Sequence, residues 1–351
     1  MPAVCARGRR RWYHSGLRGD IIMLDWNKTD LLQALPEFDW QHLPKAGRAL
    51  QPYCDFYRLR FSEASVHYAG RLSCAGYQLA VQSWAPAQVR GTAILVHGYY
   101  DHTGIYGSLI RFCLQQQLQV LIVDLPGHGI SGGEPAAIGS FQEYDEIFSV
   151  LVQRAQQFLP APLHVFGQST GGAIIVNYVL KRQLQPAQSP FASINLLSPL
   201  VRPWRWQQVK MLQPLLGPFL RQLKRTFHPN SSDTVFLDFI ARHDPLQPRF
   251  LNLRWVRALR HWVPFIEAQP PLELVVNIVQ GDQDGTVAWP HNLQVLQQKF
   301  PQRRLYMLAG AGHQLVNESE ALRERLYAQL ASWLHDQPDA SVSVEAADIS
   351  G

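Results

Sequence analysis

The chain predicts an α/β fold: a mostly parallel sheet flanked by helices, with a long segment inserted between two of its strands. Three observations lead there. Short strand-like runs, among them Ala93-Ile94-Leu95-Val96, Val120-Leu121-Ile122-Val123 and Leu163-His164-Val165-Phe166, recur along the chain and run into loops of small residues. A strand covered by helices on both faces reads this way, because neither face meets water. Between the runs lie segments with helical spacing. The clearest is Ser140-x-x-Glu143, a capping box, after which Phe141, Tyr144, Ile147, Phe148, Leu151 and Val152 repeat along one face. The third observation is the stretch from Pro199 to Pro271, which separates the strand-like Ile194-Asn195-Leu196-Leu197 from Leu274-Val275-Val276-Asn277-Ile278-Val279. It is too long for a plain crossover connection.

In chain order, residues 1–60 show little periodicity and are rich in Arg, Gln, Pro and aromatics, and are expected as an N-terminal extension that wraps the domain or is partly disordered. Val66-His67-Tyr68-Ala69 and Tyr77-Gln78-Leu79-Ala80-Val81 alternate about Ala75-Gly76 as a hairpin at a sheet edge. The core then spans 61–198 and 272–335, with 199–271 inserted between its strands. Leu305-Tyr306-Met307-Leu308 supplies a further strand, and Asn317 with Glu320 opens a helix whose stripe is Leu322, Leu326, Leu330 and Trp333. Residues 336–351, small, polar and acidic, are expected as a disordered tail. No internal repeat is visible.

With 351 residues, 46% of them hydrophobic and 17% charged, the chain can bury a large core. Cys5, Cys54, Cys74 and Cys113 have neither C-x-x-C nor metal-ligand spacing and read as reduced thiols, with no metal site. No apolar stretch approaches the ~18–20 residues of a membrane span. Ile21-Ile22-Met23-Leu24 behind the cluster of Arg7, Arg9, Arg10 and Arg11 is too short for a signal-peptide core. A cytoplasmic location is therefore expected, and the leader leaves Met1 and Met23 both open as the start.

The net charge of +5 is modest, but Leu200 to Pro270 holds eleven Lys or Arg against four Asp or Glu. There Arg202, Arg205, Lys210, Arg221, Lys224 and Arg225 interleave with Trp204, Trp206, Leu212, Leu215, Leu216, Phe219 and Leu220. Such a mixture fits either a helical lid with a solvated basic face or peripheral contact with an anionic membrane. No nucleic-acid-binding motif accompanies the charge, so nucleic acid is not an expected partner.

The chemistry concentrates at strand ends. Gly167-Gln168-Ser169-Thr170-Gly171 lies between Leu163-His164-Val165-Phe166 and the helix-like Gly172-Ala173-Ile174-Ile175-Val176. This is the setting of a nucleophile elbow, in which small flanking residues let strand and helix approach around a strained serine. Downstream, Gly281-Asp282-Gln283-Asp284-Gly285-Thr286-Val287 and Gly310-Ala311-Gly312-His313 each follow an apolar run. A serine, an acid and a histidine thus stand at the edge where open parallel sheets bind ligands. A serine hydroxyl is a weak nucleophile unless a base takes its proton, so Ser169 and His313 form the candidate pair, with Asp282 or Asp284 as the acid that orients the imidazole. The N–H groups of Thr170, next after the serine, and of Tyr99, in the loop after Ala93–Val96, are the candidate oxyanion donors. His128 precedes Ser169 and reads as a loop-fixing residue; His97 and His102 read as partners of backbone groups.

His97-Gly98-Tyr99-Tyr100-Asp101-His102, the run Asp124-Leu125-Pro126-Gly127-His128-Gly129-Ile130-Ser131-Gly132, the elbow, Gly281 to Val287, and Gly312-His313 to Glu318 together resemble the monoacylglycerol lipase and lysophospholipase branch of the α/β-hydrolases, the group also called serine aminopeptidase S33-like. The resemblance covers residues 66 to 335 and the chain order Ser, Asp, His agrees with it; it implies a cap domain at the inserted segment, so 199–271 is expected as a mainly helical cap. Its Gly-x-x-Asp-x-x-Val spacing places the acid at Asp284. The chain departs from the branch at Gln168 and Thr170, where His and Met are usual, and at Tyr100, where a small residue, often Gly, is common. The resemblance implies a small acyl ester as substrate, a monoacylglycerol or lysophospholipid, hydrolysed through an acyl-enzyme without metal or organic cofactor. Two other readings remain: a serine aminopeptidase or amidase with the same triad, and a non-catalytic hydrolase fold that binds a ligand. The oligomeric state is not legible.

Overall fold

The computed structural model of the protein describes residues 12–14, 21–23, 26–216 and 220–336, and for 12–14, 21–23 and 212–216 the backbone alone. The basic leader at Arg7 to Arg11, the tail beyond Asp336, Cys5, Phe219 and the side chains of Leu212, Leu215 and Leu216 lie outside the described residues.

Two short strands, β1 (Trp12–His14) and β2 (Ile21–Met23), pair antiparallel ahead of α1 (Lys28–Ala34) and α2 (Gln51–Phe56). Asn27 caps α1 by accepting the Asp30 N–H. Residues 36–46 then run beside β3 (Val66–Cys74): Phe38 N–H donates to the Arg71 carbonyl, Ala46 N–H to that of His67, and Ala69 N–H to that of Pro44. These bonds cover an edge strand that would otherwise offer free backbone groups to other chains. This part of the extension wraps the domain without a periodicity of its own, because it is held by backbone pairing and single anchors such as Leu31, Leu50 and Tyr53.

β4 (Tyr77–Ala85) returns antiparallel to β3 around Ala75-Gly76. From there strands and helices alternate: β5 (Gly91–Val96), α3 (Gly107–Gln115), β6 (Leu118–Val123), α4 (Phe141–Phe158), β7 (Leu163–Gln168), α5 (Thr170–Lys181) and β8 (Phe191–Leu197). The segment that follows holds α6 (Trp206–Leu216), β9 (Gln222–Lys224), α7 (Thr234–Asp238), β10 (Phe250–Asn252) and α8 (Leu253–Ala268). β11 (Asn277–Gly281), α9 (Trp289–Lys299), β12 (Arg304–Leu308) and α10 (Glu320–His335) complete the chain.

The main sheet has eight strands in the order β12-β11-β8-β7-β5-β6-β4-β3, parallel from β12 to β6 and antiparallel at β4 and β3. Side chains alternate between its faces. Ile94, Val96, Leu121 and Val165 pack with Phe148 of α4, Ile175 of α5 and Leu259 of α8; Ala93, Leu95, Val120 and Phe166 pack with Phe112 of α3 and Leu326 and Trp333 of α10. Both faces are therefore dry. The Ser140 capping box is present, with Glu143 reaching back to the Ser140 N–H.

Two local expectations shift. The last helix starts at Glu320 after Ser319, while Asn317 ends a single 3₁₀ turn, Leu315–Asn317, because its backbone is used to hold the loop after His313. The segment 199–271 contains, besides helices, the antiparallel pair β9 and β10, too short to show alternation.

Gly171 is where α5 touches the sheet: a Cβ there would lie 1.9 Å from the Val96 carbonyl oxygen. Gly285, by contrast, has nothing within 4 Å of such a Cβ. Gly171→Ala should lower stability by about 3 kcal/mol or prevent folding, whereas Gly285→Ala should leave the urea midpoint within about 0.5 kcal/mol of the parent. Equal midpoints for the two variants would contradict the tight strand-to-helix approach.

Candidate active site

Ser169 sits at the junction of β7 and α5 with φ 53° and ψ −112°, a backbone state that an L residue holds only under constraint. Its N–H donates to the Leu197 carbonyl on β8, and its own carbonyl accepts from Ala173 and Leu200. The serine is thereby turned out of the sheet at the first turn of α5.

His313 Nε2 lies 2.9 Å from Ser169 Oγ, and His313 Nδ1 lies 2.8 Å from Asp284 Oδ2. All three side chains are buried. An ionised carboxylate only accepts, so Nδ1 carries the proton and the Nε2 lone pair faces the hydroxyl. Asp284 is held in turn by the N–H groups of Thr286 (2.8 Å) and Val287 (3.2 Å) and by the Gln280 amide (3.0 Å). Asp282 points elsewhere: its carboxylate accepts the Gly310 N–H at the surface. Of the two acids the spacing offered, Asp284 meets the imidazole.

Burial opposes the charged form of both groups. For His313 the Asp284 charge and hydrogen bond outweigh burial, helped by Asp101, and raise its pKa above the ordinary value; for Asp284 the His313 charge and the four donors outweigh burial and lower it. The pair is suited to an imidazole that gains a proton and becomes an imidazolium beside a fixed anion.

The N–H groups of Tyr99 and Thr170 flank the serine, and neither is taken by a backbone carbonyl among the described residues. The loop carrying Tyr99 presses close: a Cβ on Gly98 would lie 3.3 Å from Ser169 Cβ and 2.7 Å from Asp101 Oδ2. Asp101 organises it, accepting from the Gly98 N–H (3.2 Å), the Tyr106 hydroxyl (3.0 Å) and the Gln314 amide (2.8 Å). His97 bridges the Gly98 carbonyl (2.8 Å) and the Leu125 N–H (2.9 Å), and His128 meets the Pro126 carbonyl (2.8 Å). Burial drives the pKa of each down to about 3, so both stay neutral loop-fixing groups.

Asn230, Ser232 and Asp244, which sequence reasoning did not single out, join Glu318 and His102 in holding the base and the loop. The Asn230 carbonyl accepts the N–H groups of His313 (2.9 Å) and Gln314 (2.8 Å). Glu318 accepts from the N–H of Gly312 (2.6 Å) and Ser232 (2.6 Å). His102 donates to Asp244 (2.9 Å), which also accepts the Tyr57 hydroxyl (2.6 Å). No local signal marks these residues, since each partner lies far away in the chain. Above Ser169 opens a cavity of about 420 Å³ lined by Tyr99, Tyr100, Trp204, Arg225, Leu251 and Trp255, among others. A more open depression of about 510 Å³ between Lys45 and Tyr68 includes none of the five site residues expected from the sequence. Among the described residues no group of three His, Cys, Asp or Glu side chains is arranged to hold a metal ion, and no helix is long and apolar enough to cross a membrane.

An imidazole must be neutral to accept a proton, and this one has a raised pKa. Hydrolysis, measured as kcat/KM against pH, should therefore rise through one ionisation centred above ~6.5. In Asp284→Asn the midpoint should move to lower pH, because burial remains and the favouring charge is gone, and kcat should fall by about 10⁴. A profile flat from acidic to neutral pH would exclude a histidine base.

The family described as serine aminopeptidase, S33, matches residues 87–320. The pimeloyl-[acyl-carrier protein] methyl ester esterase of Nitrosospira multiformis is 26% identical over 238 residues, 63% of this chain and 86% of the esterase. The monoacylglycerol lipase of Mycolicibacterium smegmatis is 34% identical over 105 residues, 29% of this chain and 38% of the lipase. Among solved structures, a soluble variant of the monoglyceride lipase from Saccharomyces cerevisiae, in complex with a substrate analogue, superposes with a TM-score of 0.67 at 17% identity, covering 79% of this chain and 97% of that one. That likeness is one of fold, while the family match spans the elbow, the acid and the histidine together. The chain belongs to the serine aminopeptidase S33 family of α/β-hydrolases, in its monoacylglycerol-lipase-like branch, and is a serine ester hydrolase.

Proposed function

We propose that the protein hydrolyses esters of monoacyl lipids, of the monoacylglycerol or lysophospholipid kind, with Ser169, His313 and Asp284 as a catalytic triad. The observation that carries this reading is the single imidazole bonded to both Ser169 Oγ and Asp284 Oδ2. Ser169 Oγ attacks the ester carbonyl while His313 Nε2 takes its proton, giving a tetrahedral oxyanion that receives the N–H groups of Tyr99 and Thr170. Thr170 opens α5, so the helix N-terminus adds a favourable field there. His313 then returns the proton to the departing alkoxide, and Ser169 remains acylated. Water, losing its proton to His313, attacks the acyl-enzyme and frees the acid.

Residues 199–271 act as a cap over an apolar acyl site, on a core of 61–198 and 272–335. Leu251, Trp204 and Trp255 in the cavity wall support an acyl chain there. Trp204 is 57% exposed, Met211 68% and Leu220 42%, close in sequence to Arg205, Lys210 and Arg221; this mixture supports peripheral contact of a cytoplasmic enzyme with an anionic lipid surface. Against the aminopeptidase reading stands the cavity wall itself: among the described residues no Asp or Glu lines it to anchor a free amino terminus. The non-catalytic reading has no missing triad member to rest on.

A fluorophosphonate probe should label the parent protein at Ser169 and leave Ser169→Ala unlabelled, and that substitution should lower ester hydrolysis by roughly 10⁴ or more. On a panel of p-nitrophenyl esters, monoacylglycerols, lysophospholipids and aminoacyl amides, monoacyl lipid esters should be turned over and aminoacyl amides should not. Preferential cleavage of the amides would transfer the assignment to the peptidase reading, and an unlabelled Ser169 would support the non-catalytic one.

A further inference from the structure

The charge of the cavity is one-sided. Lys224, Arg225 and His228 line it together with Ser169 and His313, and among the described residues no carboxylate does. Arg225 is the most constrained of the three. Its guanidinium lies over the Tyr100 ring at 3.9 Å and the Phe227 ring at 4.2 Å, and one terminal nitrogen donates to the Gln247 amide oxygen (2.8 Å) and the Pro248 carbonyl (3.3 Å). Both acceptors are neutral. Arg182 and Arg202, half-buried like it, meet Asp145 and Glu267, whereas Arg225 takes part in no ion pair among the described residues. A guanidinium in the cavity wall, stacked on two rings and without an ion-pair partner among the described residues, is poised for a planar anion that offers two oxygens.

Tyr100 supports the same reading independently. It adopts φ 73°, where glycine is free and a tyrosine is strained by about 1 kcal/mol or more. It also stands where the resembling branch has a small residue. Its ring is retained at that backbone position as one side of the stack on Arg225. Thr170 adds a buried hydroxyl in the same wall with no partner among the described residues.

We propose that Arg225, clamped between Tyr100 and Phe227 and aided by Lys224 and His228, is an anion-binding residue of the substrate site, and that the preferred ester carries a phosphate or carboxylate group. This rests on the ester-hydrolase reading and narrows it: a neutral monoacylglycerol leaves Arg225 without a counter-ion, and an anionic ester supplies one. The two anion sources differ in shape. A phosphate would belong to the alcohol half, as in a lysophospholipid, and a carboxylate to a half-ester of a dicarboxylic acid.

The test compares esters of one chain length: a monoacylglycerol, the corresponding lysophosphatidic acid, a dicarboxylic acid monomethyl ester and its neutral dimethyl ester. The ratio of kcat/KM for anionic over neutral ester should exceed one in the parent and fall roughly 10- to 100-fold in Arg225→Gln. Arg225→Lys, which keeps the charge and loses the planar fork, should fall between them, and Tyr100→Gly should lower the ratio by removing one side of the stack. In the parent the ratio should also shrink as salt is raised, a measurement that needs no variant. Whichever anionic ester shows the larger effect names the source. A ratio at or below one in the parent, or one unchanged in Arg225→Gln that still labels with fluorophosphonate, overturns the proposal and leaves the ester-hydrolase reading standing. Failure of that reading is read separately: dodecyl phosphate that binds Ser169→Ala through Arg225, by calorimetry, while the parent cleaves none of the esters, keeps the anion site and removes the hydrolase.

Discussion

Ser169 can hold φ 53° and ψ −112° only because the chain on either side of it is pinned at van der Waals contact. β7 delivers it from the centre of the sheet, bonded to β5 and β8, and α5 leaves at once with Gly171 against the Val96 carbonyl. That close approach sets the angle at which the helix crosses the sheet. It also turns the hydroxyl to the carboxyl edge, where the loops after β5, β11 and β12 bring Tyr99, Asp284 and His313. A strained residue of this kind is tolerated when the surrounding packing over-determines it. The dry, two-sided sheet supplies that packing, with Val165 buried on one face and Phe166 on the other.

A second layer of constraint ties the site to the segment between β8 and β11. The histidine loop has two consecutive N–H groups on one carbonyl, Asn230, and is braced from below by Glu318. The loop carrying Tyr99 is tied to the same segment through His102 and Asp244, buried together with Tyr57. His102 Nδ1 accepts the Gly104 N–H, so the ring donates through Nε2 alone. The wall of the cavity and the groups that face the serine hydroxyl are therefore one hydrogen-bonded body. Movement of residues 228–233 would displace the base as well as the wall.

Charge follows the same division. The acids of the site, Asp101 and Asp284, lie behind the imidazole and the loop, fully engaged by donors, while the cavity in front presents Lys224, Arg225 and His228. The protein thus places negative charge where it stabilises an imidazolium and leaves positive charge where a ligand would sit. The aromatic rings of Tyr99 and Trp255, stacked at 3.9 Å, close the wall between the two regions.

The sequence by itself determined whatever depends on short-range pattern. Strands dry on both faces must be continuous apolar runs, a helix start must satisfy its free N–H groups, and an elbow must have small residues, so the alternating fold, the Ser140 capping box and the chain order of a serine at 169, an acid at 282 or 284 and a histidine at 313 could be read directly. Tertiary structure decided what depends on partners distant in the chain. Asp282 and Asp284 are two residues apart, and only the direction of each carboxylate, toward Gly310 or toward His313, separates them. β9 and β10 are three residues each and stable only as a pair, and residues 36–46 are ordered by carbonyls of β3 rather than by a periodicity of their own. Arg225 looked like one cation in a basic stretch, and it stood apart when the fold set it against the rings of Tyr100 and Phe227 with no ion-pair partner among the described residues. Such relations cannot be written in local spacing, because the energy that fixes them comes from groups brought together after the chain has folded.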